Sequence, residues 1–297
     1  MIQAKRIGHA TFTTPDIAGQ IEYYQSVVGL TLVAHEAGRA FLATNSGQLA
    51  VILEKGSEQS CTKIAFEISP KFEFSEISRS LSSVGIKSSV SGDACPGIPD
   101  MLSFSDPKGT VIELFSSWTF LPRGPEVGGS VAIKLGHLAF AVADPAAIAG
   151  FYEKTLGFRT SDWIGDNFAF LRCNADHHTV NFIRSPSTRM HHIAFEMRDA
   201  AHLHNTCDIL GQKRIQMLWG PVRHGPGHNV ATYHRNPDGQ MVEFFAELDR
   251  MSDEESGFFD PRPWHRDRPQ KPKVWNPELQ RDMWGLPPSP GFLSHAK

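Results

Sequence analysis

Four cysteines in 297 residues, none spaced as Cys-x-x-Cys, are too few and too scattered for a disulfide frame or a zinc knuckle. Cys61, Cys95, Cys173 and Cys207 therefore read as buried thiols of a reducing compartment. No stretch approaches the roughly 20 apolar residues of a membrane-spanning helix. The opening MIQAKRIGHATF has neither the apolar core nor the small-residue cleavage site of a secretory signal. The expectation is a cytoplasmic protein without a membrane partner. Excess basic charge is missing too: the formal charge is -3 with 14 neutral histidines, so no basic field exists to draw nucleic acid. What is present is the balance of a soluble globular protein, 40% hydrophobic and 21% charged. Its length is enough for two domains, each with its own core.

Three blocks of sequence occur twice in the same order. IGHATFTTPDIAGQIEYYQSVVGLTLV from Ile7 matches LGHLAFAVADPAAIAGFYEKTLGFRTS from Leu135; TKIAFEIS from Thr62 matches HHIAFEMR from His191; LSFSDPKGTVIELF from Leu102 matches TYHRNPDGQMVEFF from Thr232. Offsets this constant mark a duplicated domain. The division expected is a first domain over 1–120, a linker over 121–131 containing TFLPRGPEVGGSV in part, a second domain over 132–251, and a tail over 252–297.

Within each half, alternating strands and helical spacing give two shorter β-α-β modules. Leu135 to Val142 alternates as a strand, with His137, Ala139 and Ala141 on one face. Ala146 to Leu156 has helical spacing, with Asp144 as N-cap and Pro145 at the first helical position. Ser161 to Ile164, Phe168 to Arg172, Val180 to Ile183 and Met190 to Met197 read as strands, and Asp199 to Leu210 as a helix closed by Gly211. Asn236-Pro-Asp-Gly239 is a turn between two strands carrying Tyr233 and Glu243. Beyond Met251, eight of 46 residues are proline, and Trp264, Trp275 and Trp284 recur among charges. This composition excludes regular sheet, and the tryptophans suggest a segment draped over the body or a neighbouring subunit.

The stretch GPVRHGPGHNVATYHRNPDGQMVEFF, Gly220 to Phe245, holds a histidine, a phenol and a carboxylate at fixed spacing: His224, Tyr233 and Glu243. His137 and His192 each lie in an apolar strand with small residues beside them on the same face. Two imidazoles and one carboxylate on separate strands suggest a 2-His-1-carboxylate metal centre with acid/base groups beside it. The duplication provides a control, because the matching positions in the first half are His9, Lys63 and Glu113. A protonated lysine is a poor ligand, so only the second half has the full trio.

The motifs GHLAF, HHTVNF, HHIAF, GPVRHG and TYHRNPDGQMVEFF together resemble those of the type I extradiol ring-cleaving dioxygenases, catechol 2,3-dioxygenase-like members of the vicinal oxygen chelate superfamily in its two-domain form. The resemblance runs over about residues 5 to 250. It implies an α+β fold of tandem duplicated domains, each of two βαβββ modules forming a curved sheet around a cavity. It also implies Fe(II), occasionally Mn(II), held by His137, His192 and Glu243, a catecholic substrate cleaved with O2, and a homo-oligomer. His224 and Tyr233 match the groups that hold and deprotonate a substrate hydroxyl. One further histidine is implied beside the oxygen site. By motif it is His178; by its separation from the second ligand it is His177, unless a residue is deleted between Ile183 and Met190. His178 is preferred. His191 is expected on the far strand face, His228 and His234 at the rim or far face, and Asn229 and Arg223 are open as substrate contacts. Phe170, Phe182, Phe195 and Trp163 read as core or pocket wall. Two rivals share the fold: a binding or resistance protein without the trio, and a glyoxalase- or epimerase-like metal enzyme, which would take a fourth ligand.

Overall fold

The computed structural model describes residues 2–36, 38–122, 128–278 and 282–296, so positions 123–127 of the expected linker lie outside it. The chain divides into two compact units. The first comprises Met1–Leu135, Phe151–Gly157 and Asn236–Gly239; the second comprises Gly136–Gly150, Phe158–Arg235 and Gln240–Lys297.

The first sheet is built from β1 (Ala4–Thr14), β2 (Thr31–Glu36), β3 (Arg39–Ala43), β4 (Leu49–Lys55), β5 (Ser60–Ile68), β6 (Ser88–Cys95), β7 (Ile98–Ser105) and β8 (Val111–Phe115), with helices α1 (Ile17–Tyr23) and α2 (Phe74–Ser83) between strands. Its order is β2-β3-β4-β1-β5-β8-β7-β6. The second sheet uses β9 (Lys134–Val142), β10 (Arg159–Ile164), β11 (Phe168–Arg172), β12 (Val180–Arg184), β13 (Arg189–Glu196), β14 (Trp219–Arg223), β15 (Val230–Arg235) and β16 (Met241–Ala246), with α3 (Pro145–Leu156) and α4 (Ala200–Gln212). Read from β10, the order is β10-β11-β12-β9-β13-β16-β15-β14. Each strand of the second sheet sits where its counterpart eight places earlier sits in the first. The result is two βαβββ modules per half, forming mixed, curled sheets.

Local chemistry explains the boundaries. Asp144 Oδ1 accepts from the backbone N–H groups of Ala146 and Ala147, both at 3.1 Å, and Asp16 does the same for Gly19 in α1 at 3.0 Å. Helix α4 runs past the expected stop at Gly211. Its turns continue to Gln212, and Arg214 takes the left-handed conformation with φ 56°, where Ile215 N–H closes onto Leu210 C=O at 2.9 Å.

The repeat also preserves a packing device. Phe115 and Phe245 lie across the glycines that precede the matched histidines, Gly8 and Gly136. A Cβ on either glycine would clash with the phenylalanine ring, 2.3 Å from Phe115 Cε1 at Gly8 and 2.4 Å from Phe245 Cζ at Gly136. His137 and Phe245 then stand with ring centroids 4.9 Å apart, and His9 and Phe115 at 6.3 Å. Glycine is needed here for close approach, not for backbone freedom.

The tail departs from expectation in one respect. It contributes a short strand, β17 (Lys273–Trp275), parallel to β10, and a final helix, α5 (Pro290–Ala296). The rest is irregular and fastened to the second unit by side chains. Trp275 Nε1 donates to Asp162 at 2.7 Å, His265 Nε2 meets Asp249 at 2.8 Å, and the Arg223 guanidinium lies 4.0 Å from the Trp264 ring centre. Among the described residues no helix is long and apolar enough to cross a membrane, and all four cysteines are free.

Alanine at Gly8 or at Gly136 must displace a buried ring, so each substitution should lower unfolding free energy by about 1–3 kcal/mol in denaturant titrations. Only Gly136→Ala should also weaken metal binding, because only its neighbouring histidine belongs to a complete trio.

Candidate metal centre and active site

The strand order of the second sheet lays the candidate residues side by side. Across β14, β15, β16, β13, β9 and β12, successive strands bring His224 (just after β14), Tyr233, Glu243, His192, His137 and His178 (just before β12). Tyr233 is paired directly opposite Glu243. All six line one cavity of about 290 Å³.

Three donor atoms converge. His137 Nε2 is 3.2 Å from His192 Nε2 and 3.0 Å from Glu243 Oε2, and His192 Nε2 is 3.1 Å from Glu243 Oε2. Metal–donor bonds of about 2.1 Å put ligands about 3.0 Å apart at right angles and about 3.4 Å apart in a tetrahedron. The triangle therefore fits one face of an octahedral ion, and the two imidazoles and carboxylate suit a divalent metal of the Fe(II) or Mn(II) kind. All three residues are buried. Burial lowers the His137 pKa, with Glu243 partly opposing it. For Glu243, burial alone would raise the carboxyl pKa, but His137 and His192 outweigh it and hold it well below the usual range.

Neighbours fix the ligands' orientation. Asn229 Nδ2 donates to Glu243 Oε1 at 2.9 Å, leaving Oε2 for the centre. His191 and His192 meet through their Nδ1 atoms at 2.8 Å, so a His192 ligating through Nε2 donates its Nδ1–H to His191. His191 therefore departs from its expected far-face position: it lines the cavity.

On the other side of His137, the His178 ring stands 4.3 Å away, centroid to centroid. Its Nδ1 is 3.0 Å from His177 Nδ1, and His177 Nε2 is 3.1 Å from the Asp162 carboxylate. The carboxylate can only accept, so His177 donates to it through Nε2 and accepts from His178 Nδ1–H. His178 lines the cavity while His177 stands behind it. Burial, aided by His137 and His177, holds the His178 pKa well below the ordinary histidine value. Gly227 lets the following loop pack against these two rings; its Cβ would lie 3.2 Å from His177 Nδ1.

Opposite, His224 Nε2 is 2.8 Å from Tyr233 Oη, and His224 Nδ1 is 2.9 Å from Asp282 Oδ1. Burial, then Glu243, pushes the Tyr233 phenol well above its usual pKa. The phenol is therefore a donor in the resting site.

Residues 134–244 match the model of the Glyoxalase/Bleomycin resistance protein/Dioxygenase superfamily. The match lies wholly within the second half, over the strands that carry the candidate donors. It is 27% identical over 262 residues to the 3-methylcatechol 2,3-dioxygenase of Pseudomonas putida, covering 81% of this chain and 89% of that protein. Among solved structures, the Mn(II)-bound glyoxalase of Novosphingobium aromaticivorans matches with a TM-score of 0.82 at 24% identity, covering 98% of this chain and 94% of that one. The homoprotocatechuate 2,3-dioxygenase of Brevibacterium fuscum, in complex with 3,4-dihydroxyphenylacetate, matches with a TM-score of 0.81 at 22% identity, covering 99% and 92%. The fold of these two structures is thus shared along nearly the whole chain.

The first half has the same outline without the three converging donors. His9 Nε2 stands 3.4 Å from Glu113, while the Lys63 ammonium turns to Glu54 at 3.1 Å. Several other residues fall outside the cavity. Arg223 donates to His228 C=O at 2.8 Å and pairs with Glu247 at 2.6 Å; His228 pairs with Asp249 at 2.6 Å; His234 is fully buried against Phe244, and burial lowers its pKa to about 3. Phe182 and Phe195 are core, and Phe170 is wall. Among the residues that sequence reasoning missed are Trp219 and the tail's Asp282, Pro288, Phe292 and Leu293, all in the cavity wall. Trp219 stacks on Tyr233 at 5.2 Å, and Phe292 packs edge-on to both. Only the aromatic content of the tail hinted at this, without a register to dock it.

Asn229→Ala frees the second oxygen of Glu243. Its affinity for Fe(II) or Mn(II), measured by competition with a chromogenic chelator, should fall about 10- to 100-fold.

Proposed function

We propose that the chain cleaves a catechol-type aromatic diol at the bond beside its hydroxyl-bearing carbons, using O2 and a non-haem Fe(II) centre at His137, His192 and Glu243, with Mn(II) as the alternative ion. The observation that carries this reading is the facial triangle of donors, flanked on one side by His178 and on the other by the His224–Tyr233 pair, in a single cavity. Similarity over most of the chain to a 3-methylcatechol 2,3-dioxygenase supports the same chemistry. We assign catalysis to residues 132–251, the degenerate copy to 1–120, the connection to 121–131 and the covering tail to 252–297. Free thiols support a cytoplasmic setting, and we take the assembly to be a homo-oligomer.

A metal held by His137, His192 and Glu243 would supply Lewis acidity toward the diol and a path for electrons from ring to oxygen. The protein supplies the rest. His224 Nε2, with Tyr233 beside it, is the acceptor for a substrate hydroxyl proton. His178, on the opposite flank, faces the oxygen side, with Nε2 toward the cavity and Nδ1 tied to His177. Ile164, Phe168, Phe170, Trp219 and Phe292 wall the space with hydrocarbon, excluding water and strengthening each polar contact inside.

Anaerobic Fe(II) loading followed by catechol and O2 should give stoichiometric oxygen uptake and a yellow ring-fission product. His178→Ala and His224→Ala should keep their iron, read by elemental analysis, and lose turnover by about 10²–10⁴-fold. Loss of iron from both, or metal-dependent isomerisation without oxygen uptake, would overturn the reading.

A further inference from the structure

Asp282 comes from the tail, some forty residues beyond the last metal ligand in sequence, and its carboxylate reaches the ring of His224. Backbone pairing puts it there. Met283 N–H donates to Arg223 C=O at 2.7 Å and Arg223 N–H donates to Trp284 C=O at 3.0 Å, so the tail runs antiparallel against the residue preceding His224. His224 is also held from behind, its N–H donating to Asn229 C=O at 3.0 Å, and flanked by the Trp219 ring at 4.9 Å. Its two ring nitrogens therefore face two different partners: Nδ1 faces Asp282 Oδ1 and Nε2 faces Tyr233 Oη.

We infer that Asp282 is the positioning residue of the acid/base pair, locking His224 in the tautomer whose Nε2 lone pair faces the substrate site. The chemistry of this inference rests on the proposed catechol cleavage; its geometry does not. An ionised carboxylate accepts and cannot donate, so the proton of the neutral imidazole sits on Nδ1. Nε2 is then bare, and in the resting site it accepts the Tyr233 O–H. When a catechol enters, its O–H bond breaks, the proton forms a bond with Nε2, and the electron pair stays on the substrate oxygen. His224 becomes an imidazolium, and Asp282, still ionised, stabilises it through a charge-assisted hydrogen bond. In the first half Ser103 occupies the place of Tyr233, so this arrangement is a property of the second half and its tail alone.

The test uses the full chain, with Asp282→Ala, Asp282→Asn, His224→Ala and the Asp282→Ala/His224→Ala double variant. The ¹⁵N shifts of the His224 ring are read in metal-free protein, and catechol turnover is read after Fe(II) loading. The Met283 and Trp284 backbone contacts do not involve the Asp282 side chain, so the variants should retain the fold. Native chain and Asp282→Asn should show the Nδ1–H tautomer, because asparagine can still accept. Asp282→Ala should shift the population toward Nε2–H and lower kcat/KM by about tenfold or more, chiefly in kcat; Asp282→Asn should lose less. In the His224→Ala background the same change should alter turnover by less than about twofold. An unchanged ¹⁵N pattern in Asp282→Ala, or an equal loss of turnover with and without His224, overturns the inference. Failure of the iron-loaded native chain to cleave catechol counts against the proposed function instead, and the tautomer measurement in metal-free protein still decides the role of Asp282.

Discussion

Three lone pairs, on His137 Nε2, His192 Nε2 and Glu243 Oε2, point at one spot inside a cavity walled largely by hydrocarbon. An uncompensated buried carboxylate is costly, and two neutral imidazoles at hydrogen-bond distance from it do not cancel its charge. A divalent cation resolves this, and the surrounding structure holds the donors in readiness for one. Glycine before His137 admits the Phe245 ring, Asn229 holds the unused oxygen of Glu243, and His191 holds the far nitrogen of His192. Each of these contacts limits how far a ligand can turn away from the common point.

The first half shows what the same scaffold does when that constraint is relaxed. Lys63 stands where His192 stands in the second half, and it pairs with Glu54. His9 and Glu113 stay near each other at 3.4 Å without a third donor, yet the glycine and phenylalanine that brace the matched histidine remain. The bracing thus serves the sheet as well as the site. The same packing is present with and without a converging set of donors.

Much of this was legible in the sequence because it is local or periodic. Alternation identifies the strands of His137 and His192, Asp144 announces α3, and the near-constant offset between repeats exposes the duplication. The turn Asn236–Gly239 pairs Tyr233 with Glu243 by short-range geometry alone. What stayed hidden depends on long-range contacts. Two adjacent histidines, His177 and His178, cannot be told apart by spacing; they differ in whether Asp162 or the cavity is the neighbour. His191 was expected on the far face because strands alternate, yet its ring meets His192 Nδ1 and it borders the same cavity. A proline-rich tail has no periodicity to read, so Asp282 and Phe292 could be located only by their contacts.

The tail also separates two kinds of change. Every metal donor lies on the duplicated scaffold, whereas part of the wall that a ring substituent would touch, Pro288, Phe292 and Leu293, lies on a segment that is mostly outside the main sheet ladders. Substitutions there reshape the chamber without moving a strand that carries a ligand. Changes to one peripheral segment can therefore alter the shape of the chamber while the three converging donors keep their places on the sheet.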